Sequence, residues 1–85
     1  MKFYIKHSMT GRLRVHMDMK HMSFKQADIL EYYIKNIETV TSVKVYEKTC
    51  DAVIEFKGNK AQIINELKHF TYSQVAVPED VLNSS

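Results

Sequence analysis

The chain has 85 residues, a length that allows one small domain, and its composition excludes several classes of protein. Hydrophobic residues make up 45% and charged residues 26%, which is too apolar for an intrinsically disordered chain. No apolar run approaches the roughly 18 residues that a transmembrane helix needs, and the first residues contain no secretory hydrophobic region. A single cysteine, Cys50, excludes an intramolecular disulfide and a multi-cysteine zinc site, so we expect a reducing, cytoplasmic environment.

Charge is distributed unevenly along the chain. Residues 1–25 carry six basic side chains and one acidic side chain, a charge of +5, whereas the remaining residues carry −3. A basic N-terminal segment favours contact with an anion, with nucleic acid or with an acidic protein surface. The alternative interpretation is a solvated strand face, because no run of adjacent charges occurs.

The N-terminal segment predicts strand structure. Residues 12–17 alternate between apolar and polar side chains, which is typical of a half-buried strand. Residues 2–7 also alternate, and we interpret them as an earlier part of the same strand. Residues 8–11 would then form a bulge or turn, in which Gly11 supplies a permissive backbone.

A capping motif marks the beginning of the first helix. In the segment from Ser23 to Gln26, the serine hydroxyl can accept the amide of residue 26, and the glutamine side chain can reach back. Apolar residues then recur at helical spacing from Phe24 to Ile37. The pattern therefore predicts a helix over residues 24–37, with its apolar residues, Phe24 among them, facing inward.

The second half of the chain predicts two strands joined by a hairpin, then a helix and a last strand. The two strands cover residues 40–45 and 52–56, and residues 47–51 connect them. The helix covers residues 60–70, and the last strand covers residues 72–77. Asn59 can cap the second helix, and Pro78 ends the last strand.

The order β-α-β-β-α-β predicts an α+β, ferredoxin-like split fold. This fold has one four-stranded antiparallel sheet with both helices on one face. Right-handed crossovers then favour the strand order 4-1-3-2. Residues 1–78 are expected to form one domain, and residues 79–85 are expected to be a frayed tail or the start of a linker.

Three segments carry a pattern that points to a family. They are HSMTGRLRV from His7 to Val15, Ala27-x-x-Leu30-Glu31 on the first helix, and IETVTSVKV from Ile37 to Val45. Together they resemble the heavy-metal-associated domain, in the cysteine-less variant found at the N-terminus of bacterial P-type metal-transporting ATPases. The resemblance covers about residues 4–77. It implies a ferredoxin-like fold and a cytosolic regulatory or docking role, with the other domains of a membrane metal transporter as partners.

The metal-binding Cys-x-x-Cys motif of that family is missing. Aligning the third segment with the family pattern places Ser23 and Gln26 at the cysteine positions. Serine and glutamine are poor ligands for soft ions, so the usual thiolate site for copper(I) or zinc is absent. The resemblance therefore implies that energy-coupled pumping resides in other domains of the transporter.

A stretch rich in methionine and histidine suggests a different metal site. Seven such residues fall between His7 and Met22. Thioether and imidazole groups together suit copper(I), and imidazole also suits zinc or iron. We predict that any such site recruits His16, Met19, His21 and Met22, around the loop in which the family places its own site. The alternative is packing, because a residue preceding the helix N-cap commonly forms a hydrophobic staple.

Arg12 and Arg14 place two guanidinium groups on one outer strand face, beside His16. Guanidinium forks hold a carboxylate or phosphate in a bidentate manner. This pair predicts either docking to an acidic surface of the transporter or an anion site. In the alternative interpretation the face is solvated, and its charges pair with strand carboxylates such as Glu55.

Two other classes of function stay open. The first is a stand-alone metal-binding or chaperone-like module that uses the histidine and methionine ligands. The second is an RNA- or protein-binding ferredoxin-like module, because aromatic residues on an open sheet face can stack with bases. The glycine and aromatic pattern of RNA-binding sheets is missing, since Gly58 follows the third predicted strand. Nucleic acid is therefore the disfavoured partner.

Catalytic patterns are also missing from the sequence. We find no Ser/His/Asp arrangement, no phosphate-binding loop and no pair of carboxylates at a useful spacing. Cys50 has no second cysteine and no nearby predicted base, so we interpret it as an incidental thiol. The sequence predicts that the chain is not an enzyme by itself.

Overall fold

The computed structural model describes residues 1–75, in which four strands form one antiparallel sheet beside two α-helices. The elements in chain order are β1 (Phe3–Met9), β2 (Arg12–Met17), α1 (Phe24–Lys35), β3 (Val40–Tyr46), β4 (Asp51–Phe56), α2 (Ala61–His69) and a 3-10 turn (Tyr72–Gln74). The predicted α+β class and four-stranded antiparallel sheet are confirmed, and the architecture is consistent with a ferredoxin-like fold. Neither described helix is long and apolar enough to span a membrane.

The order of the elements differs from the prediction. Over residues 1–75 it is β-β-α-β-β-α, and the strands are arranged β1-β2-β4-β3 across the sheet. Residues 3–9 form a strand of their own, and residues 72–74 form a 3-10 turn where the last strand was expected to begin. Residues 76–85, which include the end of that expected strand and the expected tail, lie outside the described residues. β1 thus lies beside β2, in the position that the prediction gave to the last strand.

A tight hairpin explains this arrangement. Thr10 and Gly11 connect β1 to β2, and Gly11 adopts a φ of +77°, a left-handed conformation that glycine reaches without strain. The Gly11 carbonyl accepts a hydrogen bond from the Phe56 amide at 3.0 Å, which ties the turn to the end of β4. Pairing between neighbouring segments closes only a short loop, so its entropic cost is small. The N-terminal segment therefore pairs locally with β2.

The core lies between the helices and one face of the sheet. Apolar side chains that alternate along β2 and β4 pack against the buried residues of both helices in a single cluster. Its fully buried members on these elements are Leu13, Val15, Met17, Ala52, Ile54, Leu30, Ile34, Ile63 and Leu67. The predicted inward placement of Phe24 is wrong, because this first residue of α1 is 66% exposed. α1 also ends at Lys35, two residues before its predicted end.

The beginning of α1 confirms the predicted capping box, whereas the N-cap residue of α2 is Lys60 and Asn59 makes its contact from the residue before it. Ser23 Oγ accepts a hydrogen bond from the Gln26 amide at 3.0 Å, and Gln26 Oε1 accepts one from the Ser23 amide at 2.9 Å. Asn59 Oδ1 accepts a hydrogen bond from the Ala61 amide at 2.8 Å at the start of α2. These side chains satisfy amides that would otherwise lack partners inside a helix.

Removing the first of these caps should weaken the fold measurably. We expect Ser23→Ala to lower the free energy of unfolding by about 0.5–2 kcal/mol, whereas Ser23→Asp is expected to be tolerated, since aspartate also caps helices. Denaturant unfolding of each variant measures the difference. Ser73→Ala is the matched control, because Ser73 is exposed. Equal losses for Ser23→Ala and Ser73→Ala would show that the cap contributes nothing.

Candidate functional site

The sheet face opposite the helices, here called the outer face, carries the charged residues of the central strands. Directly opposed residues of antiparallel strands project to the same side of the sheet. The outward pairs between β2 and β4 are Arg12 with Glu55, Arg14 with Val53, and His16 with Asp51. The outer face of β2 is therefore basic, as its alternation predicted.

Asp51 is the centre of a cluster of charged groups on this face. Its Oδ2 accepts hydrogen bonds from Lys6 Nζ at 3.1 Å and from Arg14 Nη2 at 3.0 Å and Nε at 3.3 Å. Its Oδ1 lies 2.7 Å from His16 Nδ1. These four residues, the Asp51 cluster, join strands β1, β2 and β4 through side chains alone. Because the carboxylate is fully buried, its partners replace water completely.

The cluster keeps Asp51 ionised. Burial favours the neutral acid, but the hydrogen bonds from His16, Lys6 and Arg14 outweigh burial and lower the pKa of Asp51 to about 2. The side chains of Lys6 and Arg14 remain 42% and 43% exposed. Two cationic side chains thus share one carboxylate and still face solvent, which leaves the cluster with a net positive charge.

A β-bulge in β1 places two consecutive residues, Lys6 and His7, on the outer face. The pairing register shifts between Ile5, which lies opposite Val15, and His7, which lies opposite Arg14. Strict alternation would have turned either Lys6 or His7 toward the helices. The extra residue instead allows Lys6 to reach Asp51 while His7 projects outward beside Arg14.

Side chains of β1 and β2 line a groove on the outer face. The groove has a volume of about 480 Å³, and we call it the basic groove. It is lined by Lys6, His7, Met9, Arg12 and Arg14. The predicted pair of arginines is thus brought together in one site, joined by three residues of β1.

Arg12 differs from the other cations of the groove. Within residues 1–75 it forms no salt bridge, whereas Lys6 and Arg14 both pair with Asp51. Glu55 lies opposite Arg12, but its Oε1 accepts a hydrogen bond from Ser42 Oγ at 2.7 Å. The alternative interpretation, in which the charges of this face pair with strand carboxylates, thus holds for Arg14, although its partner is Asp51 and not Glu55. Among residues 1–75, Arg12 has no salt-bridge partner and can receive an anion.

The four predicted metal ligands do not converge in the structure. His16 lies on the outer face, where its Nδ1 contacts Asp51, whereas Met22 is buried in the core on the other side of the sheet. Met19 Sδ accepts a hydrogen bond from the Tyr72 hydroxyl at 3.4 Å, and His21 is exposed. Among the described residues, no three His, Cys, Asp or Glu side chains are placed to hold one ion. A metal site in this loop stays a prediction.

Cys50 has the environment of a structural thiol. It is buried, and its Sγ lies 3.8 Å from the Glu47 carbonyl oxygen. Burial, assisted by the charge of Asp51, raises the pKa of the Cys50 thiol. Both effects disfavour the thiolate, which is the nucleophilic and metal-binding form.

Sequence reasoning missed Asp51, Lys6 and His7. Asp51 was assigned to the hairpin connection, although its i+2 spacing with Val53 and Glu55 continues the outward row of β4 by one residue. That alternation was the available signal. No signal in the sequence marked the bulge that brings Lys6 and His7 to one face.

Comparisons of the chain with known proteins cover family models, curated proteins and solved structures. No family model, no curated protein and no solved structure matches it. Any function assigned to the outer face therefore depends on the chemistry of its residues and on the pattern of the three resembling segments.

Proposed function

We propose that this chain is a cytosolic N-terminal regulatory or docking domain of a transition-metal-transporting P-type ATPase, without the usual cysteine metal site. The observation that best supports the proposal is that Ser23 and Gln26 form the N-terminal cap of α1. These residues occupy the positions at which the resemblance implies metal-binding cysteines, and their side chains are bonded to each other's amides as a helix cap. A fold consistent with the ferredoxin-like class, with a helix cap in place of those ligands, favours a role in contacts between domains over metal delivery.

The outer face supplies a surface for such contacts. The basic groove combines the guanidinium of Arg12, which forms no salt bridge within residues 1–75, with the partly exposed side chains of Lys6 and Arg14. Groups of this kind recognise carboxylates on an acidic protein surface. The partner in this proposal is another domain of the same transporter, which would present acidic side chains to the groove.

A metal titration tests the proposed loss of the metal site. We expect copper(I), iron(II) and zinc to bind the chain with micromolar or weaker affinity, on the order of 8 kcal/mol or less, because the loop offers no preformed set of ligands. Imidazole binds metal ions in its neutral form, so any binding through histidine should weaken in acidic solution. Amide shifts recorded anaerobically under reducing conditions give the site. Shifts centred on Cys50 would identify a thiol artefact.

Introducing cysteines at these two positions tests the alignment itself. The double variant Ser23→Cys, Gln26→Cys should bind copper(I) more tightly than the micromolar limit, because thiolates suit this ion and the N-terminus of α1 stabilises them. The control variant Lys25→Cys, Asp28→Cys has the same spacing further into the helix and should bind less tightly. Equal affinities for the two variants would contradict the alignment. Nanomolar binding by the unmodified chain would contradict the proposal.

The gene provides a separate test of the transporter context. We expect the reading frame to continue past the codon for Ser85 into hydrophobic spans and an aspartyl-phosphorylation motif. A stop codon at that point would contradict the proposed context and would favour a stand-alone module.

A further inference from the structure

We infer that the basic groove is a preformed binding site for an extended, carboxylate-rich peptide segment of a protein partner. Arg12, which has no salt-bridge partner in the part of the chain that the structure describes, is its main anion-binding group, and Asp51 is the positioning residue that holds Lys6 and Arg14 in place. The inference deepens the proposed docking role and rests on it for the identity of the partner. Binding of an acidic peptide is nevertheless a property of the 85-residue chain and can be measured on it alone.

Preorganisation is the first argument for a binding site. Long side chains such as lysine and arginine lose rotamer freedom when they engage a ligand, and this loss weakens binding. Lys6 and Arg14 are already ordered by hydrogen bonds to the buried Asp51. Lysine carries three N–H donors and arginine five, so both retain donors that Asp51 does not use. These donors belong to side chains that remain nearly half exposed at the groove.

Uncompensated charge is the second argument. Lys6, Arg12 and Arg14 carry three positive charges around the groove, whereas Asp51 and Glu55, which lies opposite Arg12, supply two negative charges. Glu55, the nearest carboxylate across the strand pair from Arg12, is bonded to Ser42 instead. The net charge around the groove is thus positive, and Arg12 can receive a carboxylate without giving up a salt bridge to any residue between 1 and 75.

The spacing of the cations fits an extended peptide. Arg12 and Arg14 are two residues apart on one strand, which separates their Cα atoms by roughly 6.8 Å. Alternate side chains of an extended peptide have the same separation. A segment with acidic residues at alternate positions can therefore present one carboxylate to each guanidinium, while Met9 provides an apolar contact beside them.

The lining of the groove favours a peptide over single-stranded nucleic acid. Nucleic acids of this kind bind mainly through a charged track combined with aromatic side chains that stack with the bases. The groove residues include no Phe, Tyr or Trp, and His7 contributes the one aromatic ring among them. The ring of Tyr4 packs against His16 with centroids 4.9 Å apart, and Tyr46 lies on β3 at the far edge of the sheet. Recognition of carboxylates requires only cationic side chains, which the groove contains.

The test is a titration of the isotope-labelled chain with a peptide of alternating glutamate and serine, followed by amide shifts. We expect shifts concentrated in β1 and β2 between residues 6 and 14, and binding that weakens as salt rises from about 50 to about 200 mM. Arg12→Gln should weaken binding about two- to fivefold, the usual effect of losing one exposed ion pair. Lys44→Gln removes the same charge from an exposed residue of β3 and should leave affinity unchanged.

Several results would overturn the inference. A peptide with glutamine in place of glutamate should not bind, so shifts from it would exclude carboxylate recognition. Tighter binding of single-stranded polyuridine would reassign the face to nucleic acid, and inorganic phosphate binding as tightly as the peptide would reduce the groove to a simple anion site. Equal effects of Arg12→Gln and Lys44→Gln would place binding outside the groove. The metal titrations test the transporter proposal and do not depend on peptide binding. Failure of one proposal can therefore be told apart from failure of the other.

Discussion

Asp51→Asn is expected to lower the free energy of unfolding by about 3 kcal/mol. Removing one partner of a buried ion pair costs about 3–5 kcal/mol, because it leaves charges without compensation. The lower end of this range applies, because Lys6 and Arg14 are nearly half exposed and can turn toward solvent. The asparagine side chain retains an acceptor oxygen but lacks the charge that holds these two cations together on the outer face. Urea denaturation followed by circular dichroism measures the loss.

The pH dependence of stability provides a second measurement of the same interaction. The pKa of Asp51 is about 2 in the folded protein, against its ordinary value of 3.8, so the unfolded chain takes up this proton first. The resulting stabilisation, about 2 kcal/mol, is fully present above the ordinary pKa and is lost as the pH falls from about 4 to about 2. Over this interval the difference in stability between the wild-type chain and Asp51→Asn should shrink.

Glu55→Gln is the matched control for this variant. Glu55 is an exposed carboxylate on the same strand and the same face, and its side chain is bonded only to Ser42 among the described residues. Surface substitutions of this kind usually change stability by less than about 0.5 kcal/mol. If both variants unfold at the same denaturant concentration, or if the difference between wild type and Asp51→Asn stays constant with pH, the Asp51 cluster does not stabilise the fold.

The features that the sequence predicted well depend on neighbouring residues. The capping box needs only Ser23 and Gln26, three residues apart, and the half-buried strand over residues 12–17 needs only alternation. Both helices were found because their apolar spacing persists over several turns. Their signals are local, so no knowledge of the tertiary structure is required to read them.

The arrangement of the strands could not be read in the same way. Alternation identified a strand near residues 2–7 but did not show which strand it pairs with, since pairing depends on contacts between distant segments. The Asp51 cluster is harder still to predict, because its members come from three strands. The bulge that turns Lys6 and His7 to one face follows from the pairing register, which no local pattern specifies.

Phe24 shows why apolar spacing alone overestimates the core. Its position fits the helical pattern, yet it is the first residue of α1 and its side chain is 66% exposed. Leu30 fits the same pattern and is fully buried. The difference comes from the tertiary structure, because burial at the start of a helix depends on which neighbouring element covers the first turn.

This difference gives the last prediction, which compares the two residues directly. Leu30→Ala should lower the free energy of unfolding by about 2–5 kcal/mol, since it removes buried methyl groups and leaves a cavity between α1 and the sheet. Phe24→Ala removes a larger side chain from the same helix but should cost less than about 0.5 kcal/mol, because most of that side chain already contacts water. Denaturant unfolding of both variants shows whether the loss of stability depends on the burial of the side chain or on its hydrophobicity alone. A loss below about 0.5 kcal/mol for Leu30→Ala, or an equal loss for Phe24→Ala, would contradict the position of α1 on the inner face of the sheet.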